Sequence, residues 1–347
     1  MKPTSLLLSL LACLFGLFAL AGCGAPAGPI LTATAASQVW PAPPDPARFR
    51  YLGELRTDRD LKPARRGLAR LGDTIFGKAP DRTMMSPLAV CTDDADRVFV
   101  ADSNGRAVHV FDLVTREYKV WTPPPPGFGL PVALAFDPAG RLLVSDAASA
   151  CVWAFDRAGK PLGKLGVGAL VRPCGVAVLP DGSLIVADVG AHQLVVLSAS
   201  GAPARAIGLR GSAPGEFNFP THLAVDGAGR VYVSDSLNFR VQVFDADLRP
   251  VLQFGRKGDL PGYFAQPKGI TVDPGGNIYV VDANFEAVQV FDSSGALLMS
   301  MGREGSGPGD FWLPSGAHFD QRGRLWIADS YNRRVQAFEL VPQGDQP

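Results

Sequence analysis

Two sets of polar residues in this 347-residue sequence could carry chemistry. The first is the group Asp-x-x-Asn-x-Arg, which occurs at residues 235–240 and again at 329–334. An acid, an amide and a guanidinium this close together could form a catalytic or anion-binding cluster. The second set is the histidines, which could bind a metal ion: His109, His192, His222 and His318.

The sequence contains none of the common catalytic motifs. There is no GxSxG elbow, HExxH or P-loop, and no CxxC pair. We therefore predict no catalytic residue. The 33 basic and 33 acidic side chains balance, which excludes a dedicated nucleic-acid binder.

An internal repeat organises the polar residues. One aspartate recurs at separations of 44, 42, 47, 47 and 47 residues, and a proline lies fifteen residues before every copy. Nine residues after the proline stands a glycine, or Asp96 in the first copy, at a turn that needs a positive φ. A period of this size predicts propeller blades or a solenoid. The aspartates are Asp102, Asp146, Asp188, Asp235, Asp282 and Asp329.

Each copy contains short β-branched and aromatic segments separated by turn residues, as in "HLAVD", "RVYVSD" and "RVQVFD" of the fourth copy. A fourth strand follows, for example "RPVLQFG" at 249–255. We therefore predict an all-β, six-bladed β-propeller with four-stranded blades over residues 48–340. The sixth copy lacks its fourth strand, and "RFRYLGEL" at 48–55 should supply it and close the ring.

Copies four and six, "FPTHLAVDGAGRVYVSDSLNFRVQVFD" (219–245) and "LPSGAHFDQRGRLWIADSYNRRVQAFE" (313–339), resemble NHL repeats. Linkers such as "GREGSGPGDFWLP" (302–314) match as well. The resemblance implies a six-bladed propeller, but such propellers serve as binding platforms, as a metal-dependent lyase or as calcium-dependent lactonases. The fold therefore leaves the function open.

The repeat changes the interpretation of the Asp-x-x-Asn-x-Arg group. Because the aspartate occurs in all six copies, we expect it to accept backbone N–H groups in a turn. Asn238 and Asn332 suit a left-handed turn position, and Arg240 and Arg334 could pair with an acid of a neighbouring blade.

His222 and His318 fall on the innermost strand, two and four residues after the proline, where the other copies mostly carry small residues. They could form a channel metal site, possibly together with Cys91, or simply fill space. We predict no cofactor and keep the channel metal as an alternative. Residues near the proline could meet a ligand or partner at the rim: Arg172, Thr221, Lys268 and Ser315.

The N-terminus predicts export and lipidation. Residues 5–21 are almost wholly apolar, and "LAGC" at 20–23 resembles a lipobox, with Cys23 as the lipidated residue. An uncleaved signal anchor is the alternative. The expected order is a signal peptide (1–22), an Ala/Pro-rich tether (23–47), the propeller and a tail (341–347). Cys91, Cys151 and Cys174 allow at most one disulfide.

These features favour a non-enzymatic binding module in the bacterial cell envelope, held at the membrane through Cys23, with the outer membrane favoured. Its partner would be a protein or a small ligand rather than nucleic acid. The alternative is a metal-assisted hydrolase or lyase that works at the channel through His222 and His318.

Overall fold

Six antiparallel sheets make up the regular structure of the residues that this computed structural model describes, namely 28, 30–31, 38–62 and 82–341. Apart from Gly28, Ile30 and Lys62, these residues belong to one compact unit. The predicted signal peptide, Cys23, part of the predicted tether and residues 342–347 lie outside the described residues.

Each sheet is one blade, and the first strand of each blade begins at its proline. Blades 1 to 3 are β3 (Pro87–Thr92), β4 (Arg97–Asp102), β5 (Ala107–Asp112), β6 (Tyr118–Trp121); β7 (Pro131–Phe136), β8 (Leu142–Asp146), β9 (Cys151–Phe155), β10 (Pro161–Leu165); and β11 (Pro173–Val178), β12 (Leu184–Asp188), β13 (Gln193–Leu197), β14 (Pro203–Ile207). Blades 4 and 5 are β15 (Pro220–Val225), β16 (Val231–Asp235), β17 (Arg240–Phe244), β18 (Pro250–Phe254); and β19 (Pro267–Val272), β20 (Ile278–Asp282), β21 (Ala287–Phe291), β22 (Leu297–Met301). A 3₁₀ turn, Ser236–Asn238, joins β16 to β17.

Blade 6 closes the ring as predicted. It contains β23 (Pro314–Phe319), β24 (Arg324–Asp329) and β25 (Arg334–Leu340). The N-terminal strand β2 (Phe49–Leu55) pairs antiparallel with β25, so both ends of the propeller are in one sheet. A further short strand, β1 (Val39–Trp40), pairs with β2 inside the segment predicted as tether. The innermost strands β3, β7, β11, β15, β19 and β23 contact one another in ring order, and β23 contacts β3.

The core lies between blades rather than at the centre. The interface of blades 3 and 4, for example, buries Ile185 and Leu194 against Val233 and Phe244. Equivalent apolar clusters fill the interfaces from blade 1 to blade 6. Because strand side chains alternate between the two faces of a sheet, each blade can contribute to two such interfaces.

The predicted turn positions are confirmed. Asp96 has φ 62°, and its counterparts are glycines with φ between 77° and 85°, from Gly140 to Gly323. These turns lie on the disc face opposite the prolines. In blades 1, 2, 4 and 6 an arginine on this face pairs with an aspartate of the same blade, as Arg97 does with Asp93 at 2.7 Å. Arg324 also reaches Asp96 of blade 1, which ties blade 6 to blade 1 on this face.

Candidate functional site

The recurring aspartate fixes the chain that enters each blade. It lies directly opposite the proline, as Asp188 does opposite Pro173. Its carboxylate accepts the backbone N–H groups just before that proline; Asp188 accepts those of Val171 and Arg172 at 2.7 and 2.9 Å. All six aspartates are 0% exposed. The prolines and aspartates therefore share one face of the disc, which we call the proline face.

Arg240 and Arg334 hold the linkers that lead into blades 4 and 6. Arg240 contacts Asp235 at 2.9 Å and donates to the linker carbonyls of Ser212, Ala213 and Glu216 at 2.7–3.0 Å. Arg334 makes the same set of contacts in blade 6 and also pairs with Glu54 of β2.

Two expectations about this group were wrong. Both arginines pair with an acid of their own blade, because each guanidinium lies between that acid and the carbonyls of the linker. The left-handed residue is Phe239 (φ 56°), one position after Asn238. The Asn238 amide is instead held between Asp235 and the Gly211 carbonyl, both at 2.8 Å. Asn332 and Arg333 repeat this pattern.

The pKa values of two of these aspartates, Asp235 and Asp102, are shifted in opposite directions. Burial raises the pKa of Asp235 despite hydrogen bonds from Asn238, Asn218 and Arg240. Burial would also raise the pKa of Asp102, but hydrogen bonds from His109 and from backbone N–H groups lower it to about 2. His109 lies between Asp102 and Tyr118 and therefore has a structural role.

His318 lies in the interface between blades 6 and 1, where its Nε2 is 3.1 Å from the Thr92 hydroxyl. Burial lowers its pKa to about 4. Cys91 packs in a different interface, between blades 1 and 2, with Phe99 and Leu142. The structure therefore gives His318 a neighbouring hydroxyl and does not join it to Cys91.

His222 is the more unusual imidazole. Its Nδ1 is enclosed and has no hydrogen-bond partner among the described residues. Burial, with a smaller contribution from the charge of Lys268, lowers its pKa to about 3. His222 and His318 are on blades 4 and 6, separated by blade 5. Within residues 38–62 and 82–341, no group of three His, Cys, Asp or Glu side chains is placed to hold a metal ion.

The four predicted rim residues have different surroundings. Ser315 is buried (3% exposed), and the Thr221 hydroxyl is bound to Ser236 at 2.6 Å. Arg172 is exposed, and its guanidinium lies 5.1 Å from the centre of the Phe219 ring. Lys268 is half-buried, and no ion-pair partner for it occurs in the described part of the chain. Burial lowers the pKa of its ammonium group. Arg172 is therefore the exposed cation of this set, and Lys268 is only partly accessible.

Sequence reasoning missed an aromatic pair on the proline face. Trp312 and Tyr331 are 48% and 60% exposed, and their ring centres are 5.5 Å apart. The repeat register could have found them, because Trp312 is two residues before Pro314 and Tyr331 is two residues after Asp329. Other exposed apolar side chains occupy corresponding turns of this face: Met85, Leu130, Val171 and Leu237.

The cysteines of the propeller are free thiols. Cys91 and Cys151 are buried and Cys174 is half-buried, and none of the three forms a disulfide. Burial raises the pKa of both Cys151 and Cys174 to about 11, which disfavours the thiolate. No helix among the described residues has the length and apolar character needed to cross a bilayer.

A protein-family model for the SMP-30/gluconolactonase/LRE-like region matches residues 89–303, more than half of the chain. The chain belongs to this family. No curated protein sequence matches it.

Solved structures that are similar to this chain include two enzymes and a binding protein. Virginiamycin B lyase from Staphylococcus aureus aligns with a TM-score of 0.56 at 13% identity, over 74% of this chain and 96% of its own. A gluconolactonase from Xanthomonas campestris gives 0.56 at 18%, over 74% and 87%. An auxiliary nutrient binding protein from Bacteroides ovatus gives 0.58 at 15%, over 75% and 70%. At these identities the likeness extends to the fold only.

Proposed function

We propose that this family member is a non-enzymatic binding module of the bacterial cell envelope, built from NHL-type repeats, whose proline face binds a partner protein. The exposed Trp312–Tyr331 pair carries the proposal. Large aromatic side chains that stay exposed on a monomer lose much water-accessible area when a partner covers them, and they are enriched at protein interfaces.

The surroundings of this pair suit a protein partner. Met85 and Val171 add exposed apolar area on the same face. Arg172, which is exposed, and Lys268, which is half-buried, add two cations beside the prolines that begin β11 and β19. An apolar surface flanked by two cations favours a partner that offers apolar anchors and at least one carboxylate.

The membrane attachment is part of the same proposal. A lipidated Cys23 followed by an Ala/Pro-rich segment would hold the propeller at the envelope membrane, with the outer membrane favoured. Replacement of Cys23 by serine should move the protein from the membrane fraction to the soluble fraction. Unchanged fractionation would refute lipid anchoring through Cys23.

The binding claim is tested by affinity capture from solubilised membranes with the intact protein, followed by mass spectrometry. We expect Trp312→Ala combined with Tyr331→Ala to lose the captured partner. The matched control is Val114→Ala, which removes a 68%-exposed side chain in a turn on the opposite face. A partner retained by the aromatic variant and lost by the control would refute the assignment to the proline face.

Membership of a family that includes gluconolactonases supports a second candidate, a metal-assisted hydrolase or lyase. His222, with its unpartnered Nδ1 beside the channel, is the residue that would take part. Metal bound to the purified protein, with turnover of lactones that is lost in His222→Ala, would favour this candidate over the binding module.

A further inference from the structure

Three neighbouring blades place polar side chains at the proline end of their innermost strands. Cys174, Thr221 and Lys268 each follow the proline that begins β11, β15 and β19, and His222 is next to Thr221. A Cβ atom on Gly175 would lie 3.0 Å from the His222 Cα and from the Thr221 carbonyl oxygen, so the backbones of β11 and β15 are almost in contact there. We call Cys174, His222 and Lys268 the mouth cluster.

The Lys268 ammonium is the unusual member of the mouth cluster. It is half-buried, and it makes no ion pair or hydrogen bond with any residue that the structure describes. The two carboxylates whose charges act on it are engaged elsewhere, since Asp282 accepts four backbone N–H groups and Glu286 accepts that of Leu313. A charge that is partly removed from water and left unpaired costs free energy, so this ammonium points to a partner that the fold does not supply.

The other two members of the cluster are uncharged at pH 7. Burial, and then the charge of Lys268, lower the pKa of His222 to about 3. Burial raises the pKa of the Cys174 thiol to about 11, although the charges of Arg172 and Lys268 oppose that shift. The mouth cluster therefore carries one positive charge, that of Lys268.

His222 can add a donor beside this charge. Its Nδ1 is enclosed and has no acceptor among the described residues, while the ring as a whole is half-buried. The hydrogen of the neutral ring is therefore better placed on Nε2, the nitrogen that a ligand can reach.

We infer that the mouth cluster is a binding site for a carboxylate group, with the Lys268 ammonium as its cation and the His222 Nε2–H as a second donor. One cation with a neutral donor matches the single charge of a carboxylate. The ammonium supplies the positive charge that a bound metal ion would supply in a metal-dependent site, so binding here needs no metal.

Two sources offer this group, namely a small free acid and the C-terminus of a partner protein. The site does not use the Trp312–Tyr331 pair, and a purified protein suffices to test it. It therefore goes beyond the proposed function and can fail independently of it.

The test is a ligand-observed NMR titration of the full-length protein in detergent and EDTA, with butyrate and with its uncharged counterpart butyramide. We expect only butyrate to bind. Lys268→Met should weaken its binding about tenfold or more, the loss of one charge-assisted hydrogen bond. The matched control Lys160→Met removes an exposed lysine on the opposite face and should change binding less than about twofold.

Two further measurements keep the result free of folding effects. Because the charge that Lys268→Met removes is half-buried and unpaired, this variant should not lower the urea midpoint of unfolding. In the wild type, butyrate should shift the ¹⁵N signal of the His222 imidazole and leave that of His192 unchanged.

Acetyl-trialanine with a free C-terminus, compared with its C-terminal amide, distinguishes the two sources. Tighter binding of this peptide acid than of butyrate assigns the site to a partner's C-terminus, and the reverse assigns it to a free acid. Four results would overturn the inference: equal binding of butyrate and butyramide, chloride that competes as well as butyrate, full affinity in Lys268→Met, or binding that is absent in EDTA and returns with Ca²⁺. The last result would favour the metal-assisted candidate instead.

Discussion

Blades 3 and 4 bury the same aspartate and surround it differently. Among the described residues, Asp188 of blade 3 accepts hydrogen bonds only from backbone N–H groups, chiefly those of Val171 and Arg172. Asp235 of blade 4 also contacts the side chains of Asn238, Arg240 and Gln242. The linker into blade 4 is five residues longer, and these side chains bind its carbonyls.

The difference separates two roles within one motif. The aspartate positions the chain before the proline and is needed whatever the linker length. The amide and guanidinium groups are needed only where a long linker leaves several carbonyls to satisfy. The Asp-x-x-Asn-x-Arg motif therefore stabilises the fold. Candidate functional residues lie where the repeat departs from its pattern.

The largest predicted loss of stability follows from removing the Arg334 guanidinium in blade 6. Arg334→Met leaves Asp329 buried without its cation and removes three linker hydrogen bonds. We expect a loss of about 3–5 kcal/mol in the free energy of unfolding, measured by urea denaturation. Arg249→Met, which breaks an exposed pair with Asp247, should cost less than about 1 kcal/mol. Equal losses of unfolding free energy in the two variants would show that the buried Arg334 stabilises the protein no more than an exposed ion pair does.

Replacing the aspartate itself compares the two blades directly. Asp188→Asn weakens only bonds to backbone N–H groups and should cost about 1–3 kcal/mol. Asp235→Asn also removes the charge that Arg240 requires, so it should cost at least about 1 kcal/mol more. The same urea titrations measure both, and a costlier Asp188→Asn would contradict this account.

Gln242→Val gives blade 4 the residue that blade 3 carries. It leaves the Gly215 N–H and the Glu216 carbonyl without their side-chain partner, at a cost of about 1–2 kcal/mol. Hydrogen exchange followed by mass spectrometry should show faster exchange in residues 211–217 and little change in blade 5. Unaltered exchange in that segment would mean that the glutamine does not hold the linker.

The smallest effect concerns pH. Blade 6 carries His318 where blade 3 has Ala177, and burial lowers the pKa of His318 to about 4. The unfolded chain takes up this proton near pH 6.5, so the stabilisation is complete above that pH and is lost as the pH falls towards 4. At pH 6 we expect a loss of at most about 1 kcal/mol, which should be absent from His318→Asn. Parallel pH profiles for both proteins would contradict the assignment.

Sequence periodicity was sufficient to predict the ring, its closure by residues 48–55 and the left-handed turn at Asp96, because each follows from a spacing shared by six copies. It could not predict β1, since two residues carry no periodicity. The burial of Ser315 and the pairing of Trp312 with Tyr331 depend on contacts between separate turns.

The proposal that the proline face binds a protein is tested most directly by photocrosslinking in the native cells. A benzoylphenylalanine placed at position 312, on the proline face, is compared with one at position 114, on the opposite face. We predict a discrete crosslinked partner from position 312 and none from position 114. No crosslink from position 312, or the same partner from both positions, would contradict the proposal.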